Sequence, residues 1–280
     1  MTMLILDARL TAEKRLRQAG LDSAKAEALQ ILEFVTELER TELLLSKDEL
    51  TEAQLKKLLS ILKRRKKREP LQHILGYSYF YGLKLEVSPN ALIPRPETER
   101  LVELALEKLL PIREPTVLDV ATGSGAVALA LKQERPDAIV WASDISPNAL
   151  RLAKENAARH ELAVTFFEAD LLRTKPASIE FGKLDLLVAN LPYLPLSDKE
   201  ILSPELAYDP DLALYAGKDG LDLYKRLEPA AFKHLKKGAV CLLELDPRNV
   251  GQALATASEW RAKRIYKDLN ELERFLLLKR

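Results

Sequence analysis

Cysteine is almost absent from this chain: Cys241 is the single one in 280 residues. That excludes an internal disulfide and any cysteine-based structural zinc site, and it points to a reducing compartment. Cys241 lies in the run Ala-Val-Cys-Leu-Leu, where a buried structural thiol is expected rather than a nucleophile. Neither sign of charge is in excess. With 43 Lys and Arg against 42 Asp and Glu the net charge is +1, so no global field draws the chain to nucleic acid or to an anionic membrane. No window approaches the ~18 uninterrupted apolar residues of a spanning helix. The stretch Met1 to Arg9 lacks the basic region and sustained apolar run of a signal peptide, so a cytoplasmic chain with no membrane partner is expected. Histidines are few, and His73, His160 and His234 lie far apart without ligand-spaced partners, so no metal is expected. A Ser-His-Asp order and a Gly-x-Ser-x-Gly elbow are missing as well.

What is present is ordinary for a folded protein: 47% hydrophobic and 30% charged residues. At 280 residues the chain exceeds the roughly 150 of an average domain, which suggests two domains. Residues 1–69 hold no proline and only Gly20, while Leu, Ala, Glu and Lys recur at helical spacing. Four helices are expected there: one through Leu10, Leu16 and Ala19 that closes near Gly20, one over Ala24 to Val35, one at Leu43 to Leu45, and one over Leu50 to Leu62 capped by Thr51 and Gln54. The bundle ends in six consecutive cations, Lys63 to Arg68, expected as a solvated helix end. Residues 70–98 change character: Tyr77, Tyr79, Phe80, Tyr81 and Val87 alternate among Gly76, Gly82 and Pro89, which predicts a hairpin and linker. From Glu97 and Thr98 a helix is expected to run through Leu110.

Residues 99–280 read as a second domain, in which short β-rich runs alternate with helical stretches, the pattern of a parallel sheet with crossover helices. Strands are expected at 116–120, 138–143, 164–168, 184–189 and 239–244, with two closing strands at 264–267 and 274–279. Helices are expected at 126–133, 147–158 and 221–236. Trp141 and Trp260 are expected in the core. The fold class is α/β with an all-α N-terminal domain.

The first strand of that domain runs into Ala121-Thr122-Gly123-Ser124-Gly125, a small-residue loop before a helix. In an open α/β sheet, ligands bind beyond the carboxyl ends of the strands. Ala128 stands at the third position of the dinucleotide fingerprint, and no Lys-Ser or Lys-Thr follows, so neither a pyrophosphate fingerprint nor a P-loop is present. The loop suits a cofactor without a pyrophosphate, such as S-adenosylmethionine. Asp144, 25 positions after Asp119, ends the second strand, where a carboxylate can bond both hydroxyls of an adenosine ribose or, with Ser146, cap the next helix. After the third strand, Asp170 is placed to bond an adenine amino group and Leu171 to form an apolar wall. The fourth strand delivers Asn190-Leu191-Pro192-Tyr193. Asn190 and the Leu191 carbonyl, held extended by Pro192, can each accept one N–H of a planar nitrogen, and Tyr193 can stack on its plane. Methyl transfer to such a nitrogen needs alignment above all.

Together Asp119 to Gly125, Asp144 and Asn190 to Tyr193 resemble the class I S-adenosylmethionine-dependent methyltransferases that act on planar nitrogens. With Pro70 to Gly76, Pro94-Arg95-Pro96-Glu97-Thr98-Glu99, Tyr208-Asp209-Pro210 and Asp219-Gly220-Leu221-Asp222, the chain resembles the release-factor glutamine methyltransferases over nearly its whole length. The resemblance implies a mostly parallel seven-stranded Rossmann-like sheet, an N-terminal helical domain that docks the substrate, and S-adenosylmethionine held by Ala121 to Gly125, Asp144, Asp170, Leu171 and Asn190. It also implies a monomer that methylates the side-chain amide nitrogen (N5) of the glutamine in the Gly-Gly-Gln motif of peptide chain release factors, held at Asn190 to Tyr193. Stable nucleic-acid binding is not expected. Two positions depart from the family pattern: Leu191 where proline is usual, and Ala121 where glycine is usual. The second matters if that residue needs a positive φ. Three other readings stay open at this level: a glutamine methyltransferase for a ribosomal protein, an adenine-N6 nucleic-acid methyltransferase, and a non-catalytic RNA-binding protein using Lys63 to Arg68.

Overall fold

The computed structural model describes residues 3–280. It forms two compact units, one running to Gly76 and including Ser203–Tyr208, the other comprising Tyr77–Leu202 and Asp209–Arg280.

The first unit contains α1 (Ile5–Gln18), α2 (Ala24–Thr36), α3 (Arg40–Leu45), α4 (Glu52–Arg65) and the short α5 (Leu71–Leu75). Strand β1 (Met3–Leu4) pairs antiparallel with β2 (Glu49–Leu50), an addition that two residues per strand are too few to announce in a sequence. Helix α1 buries Ile5, Ala8, Ala12 and Leu16, at the three- and four-residue steps of one helical face. Leu10, expected on that face, falls between these steps and is 50% exposed. The Thr51 cap is as expected: its hydroxyl accepts from the Gln54 backbone N–H at 3.2 Å, and the Gln54 carboxamide oxygen accepts from the Thr51 N–H at 2.9 Å.

The cationic run departs from the expected solvated helix end. Lys63, Lys66 and Lys67 are exposed, but Arg64 pairs with Glu69 at 2.5 Å and Arg65 is buried. The Arg65 guanidinium donates to both Glu27 oxygens, at 2.7 and 3.0 Å, and to Glu205 at 3.0 Å. Arg68 reaches Glu205 at 2.8 Å and donates to the Gly20 carbonyl at 2.9 Å. Burial works to raise the Glu205 carboxyl, but hydrogen bonds from Ser203, Arg68 and Arg65 overcome it and hold the group at about 2. The segment Ser203–Tyr208 is thereby fastened to the helices, with the Tyr208 hydroxyl donating to the Lys67 carbonyl at 3.1 Å.

The second unit opens with a hairpin of β3 (Tyr77–Phe80) and β4 (Leu83–Glu86). Its two turn residues, Tyr81 and Gly82, both have positive φ (48° and 79°), the geometry that matches strand twist in a two-residue loop. A 3₁₀ turn at Pro96–Thr98 leads into α6 (Glu99–Leu109). Then follow β5 (Thr116–Val120), α7 (Ala126–Glu134), β6 (Ile139–Asp144), α8 (Pro147–Arg159), β7 (Thr165–Glu168), β8 (Leu186–Asn190), α9 (Asp222–His234), β9 (Val240–Glu244), α10 (Val250–Thr256), β10 (Ala262–Lys267) and β11 (Glu273–Lys279). The seven strands are ordered β10-β11-β9-β8-β5-β6-β7. Strands β5 to β9 run parallel, and β10 and β11 close the sheet antiparallel. Helix α10 was not anticipated, because its seven residues carry too few turns to show a period.

Alternate residues of the central strands feed two cores. Leu187, Ala189, Cys241 and Leu243 belong to one cluster with Leu227 and Ala231 of α9, and Leu186, Val188, Val240 and Leu242 to another with Leu104 of α6 and Leu129 of α7. Apolar side chains therefore cover both faces, as a parallel sheet requires. Cys241 is fully buried, Trp260 sits in the first cluster and Trp141 packs against it. Among the described residues no helix is long and apolar enough to cross a membrane.

Arg65→Ala leaves Glu27 buried without a cation and loosens Glu205, so it is expected to lower the unfolding free energy by about 3–5 kcal/mol, the usual cost of breaking a buried pair. Urea denaturation measures this, and a loss below about 1 kcal/mol would mean that water replaces the arginine without penalty.

Candidate active site

The carboxyl ends of β5, β6, β7 and β8 meet at one edge of the sheet, and the loops after them line a cleft of about 240 Å3. The first loop is shaped by three left-handed residues: Ala121 (φ 60°), Gly123 (58°) and Gly125 (86°). A Cβ on Gly125 would stand 3.1 Å from that of Ala153, so this glycine lets the loop press against α8 rather than face the cleft. The turn is held from below by Asp119, whose Oδ2 accepts from the Thr122 hydroxyl at 2.6 Å and from the Ala128 N–H at 3.2 Å. Burial raises the Asp119 carboxyl to about 7, against the lowering effect of those two bonds.

Asp144 ends β6 and both of its oxygens hold backbone. Oδ2 accepts from the Gly123 N–H and Oδ1 from the Ser146 N–H, each at 2.9 Å. The helix cap proper is Ser146, whose hydroxyl accepts from the Ala149 N–H at 3.2 Å. Burial raises the Asp144 carboxyl, with the backbone bonds opposing. A carboxylate offers about four acceptor positions, so Asp144 keeps capacity at the cleft wall beyond its backbone partners Gly123, Ile145 and Ser146. Ala91, Ile145, Leu171, Leu212 and Leu223 supply apolar wall. A carboxylate with spare acceptor capacity beside such walls fits a ribose carrying a flat base, so the donor set suits S-adenosylmethionine. Leu171 holds its place with a positive φ of 55°. Asp170 lines the cleft but is ion-paired, at 2.5 Å to Arg226 and 3.3 Å to Arg173. Those arginines hold its carboxyl below the usual range against a burial effect that would raise it.

Asn190 closes β8 and lines the cleft with Pro192. Its Nδ2 donates to the Thr98 hydroxyl oxygen at 2.9 Å. Leu191 turns the other way, 1% exposed in the core with Leu243 and Leu245, so the departure from proline fills apolar space away from the cleft. Tyr193 is likewise outside the lining: burial pushes its hydroxyl up, and that hydroxyl bonds Glu244. A Cβ on Gly220 would lie 2.1 Å from the Tyr193 carbonyl oxygen, so only glycine allows the 216–222 loop to brace this turn. Two backbone bonds at 2.9 Å, Leu194 N–H to Leu214 O and Ala216 N–H to Leu194 O, complete the brace.

Of the site residues expected from sequence, Ala121 to Ser124, Asp144, Asp170, Leu171, Asn190 and Pro192 line the cleft, and Gly125, Leu191 and Tyr193 do not. Lining residues that were not singled out include Phe80, Asn90, Arg95, Thr98 and Arg226. Arg95 and Thr98 belong to the Pro-Arg-Pro-Glu-Thr segment, whose two prolines were a visible signal. Arg95 is aimed by Asp209 at 2.5 Å, a partner 114 residues away that no local pattern reveals.

Comparison with known proteins gives two family models, the PrmC N-terminal domain over residues 7–76 and a methyltransferase domain over 117–207. The release factor glutamine methyltransferase of Deinococcus radiodurans is 44% identical over 282 aligned residues, covering 99% of each chain. The chain belongs to the release factor glutamine methyltransferase family. The Streptomyces coelicolor member is 37% identical and covers 97% of this chain and 96% of its own. Among solved structures, the hMettl16 catalytic domain in complex with an RNA hairpin superposes with a TM-score of 0.55 at 12% identity, covering 84% of this chain and 85% of that one. The 16S rRNA N2 G1207 methyltransferase of Thermus thermophilus, solved with AdoMet and guanosine, gives 0.54 at 19% identity over 73% of this chain and 50% of that one. At such identities these two share the class I methyltransferase fold with the family member described above.

Ala121 bears a left-handed strain that costs an L-residue about 1–2 kcal/mol, more than its half-buried methyl returns. Ala121→Gly is therefore expected to raise thermal stability by about 0.5–1 kcal/mol, and an unchanged or lower melting temperature would contradict this. Asp144→Ala is expected to weaken S-adenosylmethionine binding by about 1.5–3 kcal/mol in calorimetry. It should also lower the melting temperature, because the backbone N–H groups it holds lose their acceptor. A melting shift with intact affinity would reduce Asp144 to a loop clamp.

Proposed function

We propose that this protein transfers the methyl group of S-adenosylmethionine to the side-chain amide nitrogen (N5) of the glutamine in the Gly-Gly-Gln motif of peptide chain release factors. The single observation that carries the site assignment is the Asn190 amide. With Nδ2 turned to Thr98 and one of its hydrogens bonded there, Oδ1 is the acceptor left for a ligand in the cleft. That acceptor suits an incoming amide N–H, and the family membership names the amide.

S-adenosylmethionine brings the activated methyl, and the chain's own residues do the positioning. An amide nitrogen is a poor nucleophile because its lone pair is delocalised into the carbonyl. Asn190 Oδ1 and the Leu191 carbonyl hold its two hydrogens, which fixes the nitrogen in the cleft and favours the pyramidal form that attack requires. Pro192 restrains Leu191, and the 214–220 brace restrains both. Asp144 and the Ala121 to Ser124 turn hold the ribose and methionyl ends. Tyr193, with its hydroxyl on Glu244, anchors the turn instead of stacking on substrate.

Asn190→Ala is expected to keep cofactor affinity within about threefold yet lose at least ~10²-fold in turnover, the usual cost of misplacing a reacting atom by about 1 Å. Radiolabelled methyl transfer, run side by side on purified release factor, ribosomal protein and DNA, tests both parts. Label on the release-factor glutamine is the expected result. Label on ribosomal protein or DNA alone would overturn the substrate, and a wild-type rate for Asn190→Ala would overturn the site.

A further inference from the structure

Glu244 is a buried acid beside the cleft that the proposed mechanism does not use. It ends β9 directly beside Asn190, its in-register partner at the end of β8. It is 1% exposed, and its Oε2 has no hydrogen-bond partner. Burial raises its carboxyl to about 7, opposed by the Thr98 hydroxyl, Arg274 and the Tyr193 hydroxyl and reinforced by Glu97. A buried carboxyl with one oxygen unpartnered is costly, and its neighbours give it something to do. Thr98 is 4% exposed, and its hydroxyl carries a single proton. While that proton goes to the Glu244 carboxylate, Oγ1 can only accept, and it accepts from Asn190 Nδ2 at 2.9 Å.

We propose that Glu244 is a positioning residue which, through the Thr98 hydroxyl, dictates which end of the Asn190 amide faces the cleft. The inference rests on the catalytic reading of Asn190. The two ends of an asparagine amide are nearly identical in shape, so only the hydrogen-bond network distinguishes them. With the carboxylate in place, a reversed amide would set Oδ1 against a hydroxyl oxygen that has no proton to offer. Without it, the Thr98 proton is orphaned in a buried site unless the amide reverses and Oδ1 takes it. The reversed amide then presents its N–H₂ to the substrate's own N–H, which is repulsive. A protonated Glu244 acts in the same direction, since it becomes a donor to Thr98. The groups facing it are Glu97 and Thr98 on the 3₁₀ turn, Tyr193 in the braced loop and Arg274 on β11.

The test uses the full-length protein with release factor and S-adenosylmethionine. Glu244→Met, similar in size and lacking a strong acceptor, is expected to lower kcat about 10- to 100-fold, the population penalty of one unsatisfied buried donor. Cofactor affinity and the melting temperature should be unharmed. Thr98→Val removes the misdirecting hydroxyl and is expected to lose less, while Thr98→Ser stays within about threefold of wild type. The decisive expectation is that the double variant is no worse than Thr98→Val alone. Should Glu244→Met not fold, the kcat profile of the wild type decides: a fall below pH about 7 with KM unchanged that is absent in Thr98→Val supports the relay. Identical profiles reject it. Turnover of Glu244→Met within twofold of wild type, or losses that multiply in the double variant, would overturn the inference while leaving Asn190 intact. A wild-type rate for Asn190→Ala would remove the catalytic reading itself.

Discussion

The parallel pairing of β8 between β5 and β9 is the constraint on which the site depends. It sets Val120 opposite Ala189 and Asn190 opposite Glu244, so the three chains turn from apolar to polar at one level of the sheet. Below that level the strands are buried on both faces and cannot shift by a residue without sending one core's side chains into the other. Above it, each strand releases one functional group. The precision of the site is thus inherited from the hydrophobic effect acting some distance beneath it.

The acids of the second unit fall into two physical kinds. Asp119, Asp144 and Glu244 are buried at the strand ends and raised, and their partners are backbone N–H groups and hydroxyls. Asp170 is more open and lowered, held by arginines. The first kind spends stability to fix loop shape and hydrogen-bond direction, and the second anchors a wall at little cost. In the helical unit, Glu205 combines the two: it is shielded, yet tied to two arginines strongly enough to stay ionised.

Much of this was legible in the amino-acid order. The parallel strands announced themselves because each is a continuous apolar run followed by small or polar residues. Ala121 to Ser124, Asp144 and Asn190 were readable because they occupy those strand ends. What escaped is instructive. Thr98 and Glu244 acquire meaning only from each other and from Asn190, across separations of 146 and 92 residues that no window spans. Arg65 was hidden in a run of cations whose charge suggested solvent, while its partners lie on α2 and on a segment far down the chain. Tyr193, expected to stack on the substrate, lies outside the cleft lining, with its hydroxyl on the buried Glu244 carboxyl, a partner that no local pattern reveals.

The fastening of Ser203–Tyr208 to the helices bears on how the two units can change over time. The backbone leaves the first unit at Gly76, returns to it for six residues only ten positions after Tyr193, and leaves again. The units are therefore stitched by three covalent crossings rather than one. A gene fusion that replaced the first 76 residues would discard the surface that Glu205 and Tyr208 grip, and the orphaned stretch would sit in the same loop as the braced turn. Substitutions at Arg65 or Arg68 are therefore coupled to those at Glu205, although the two stretches lie far apart in the chain.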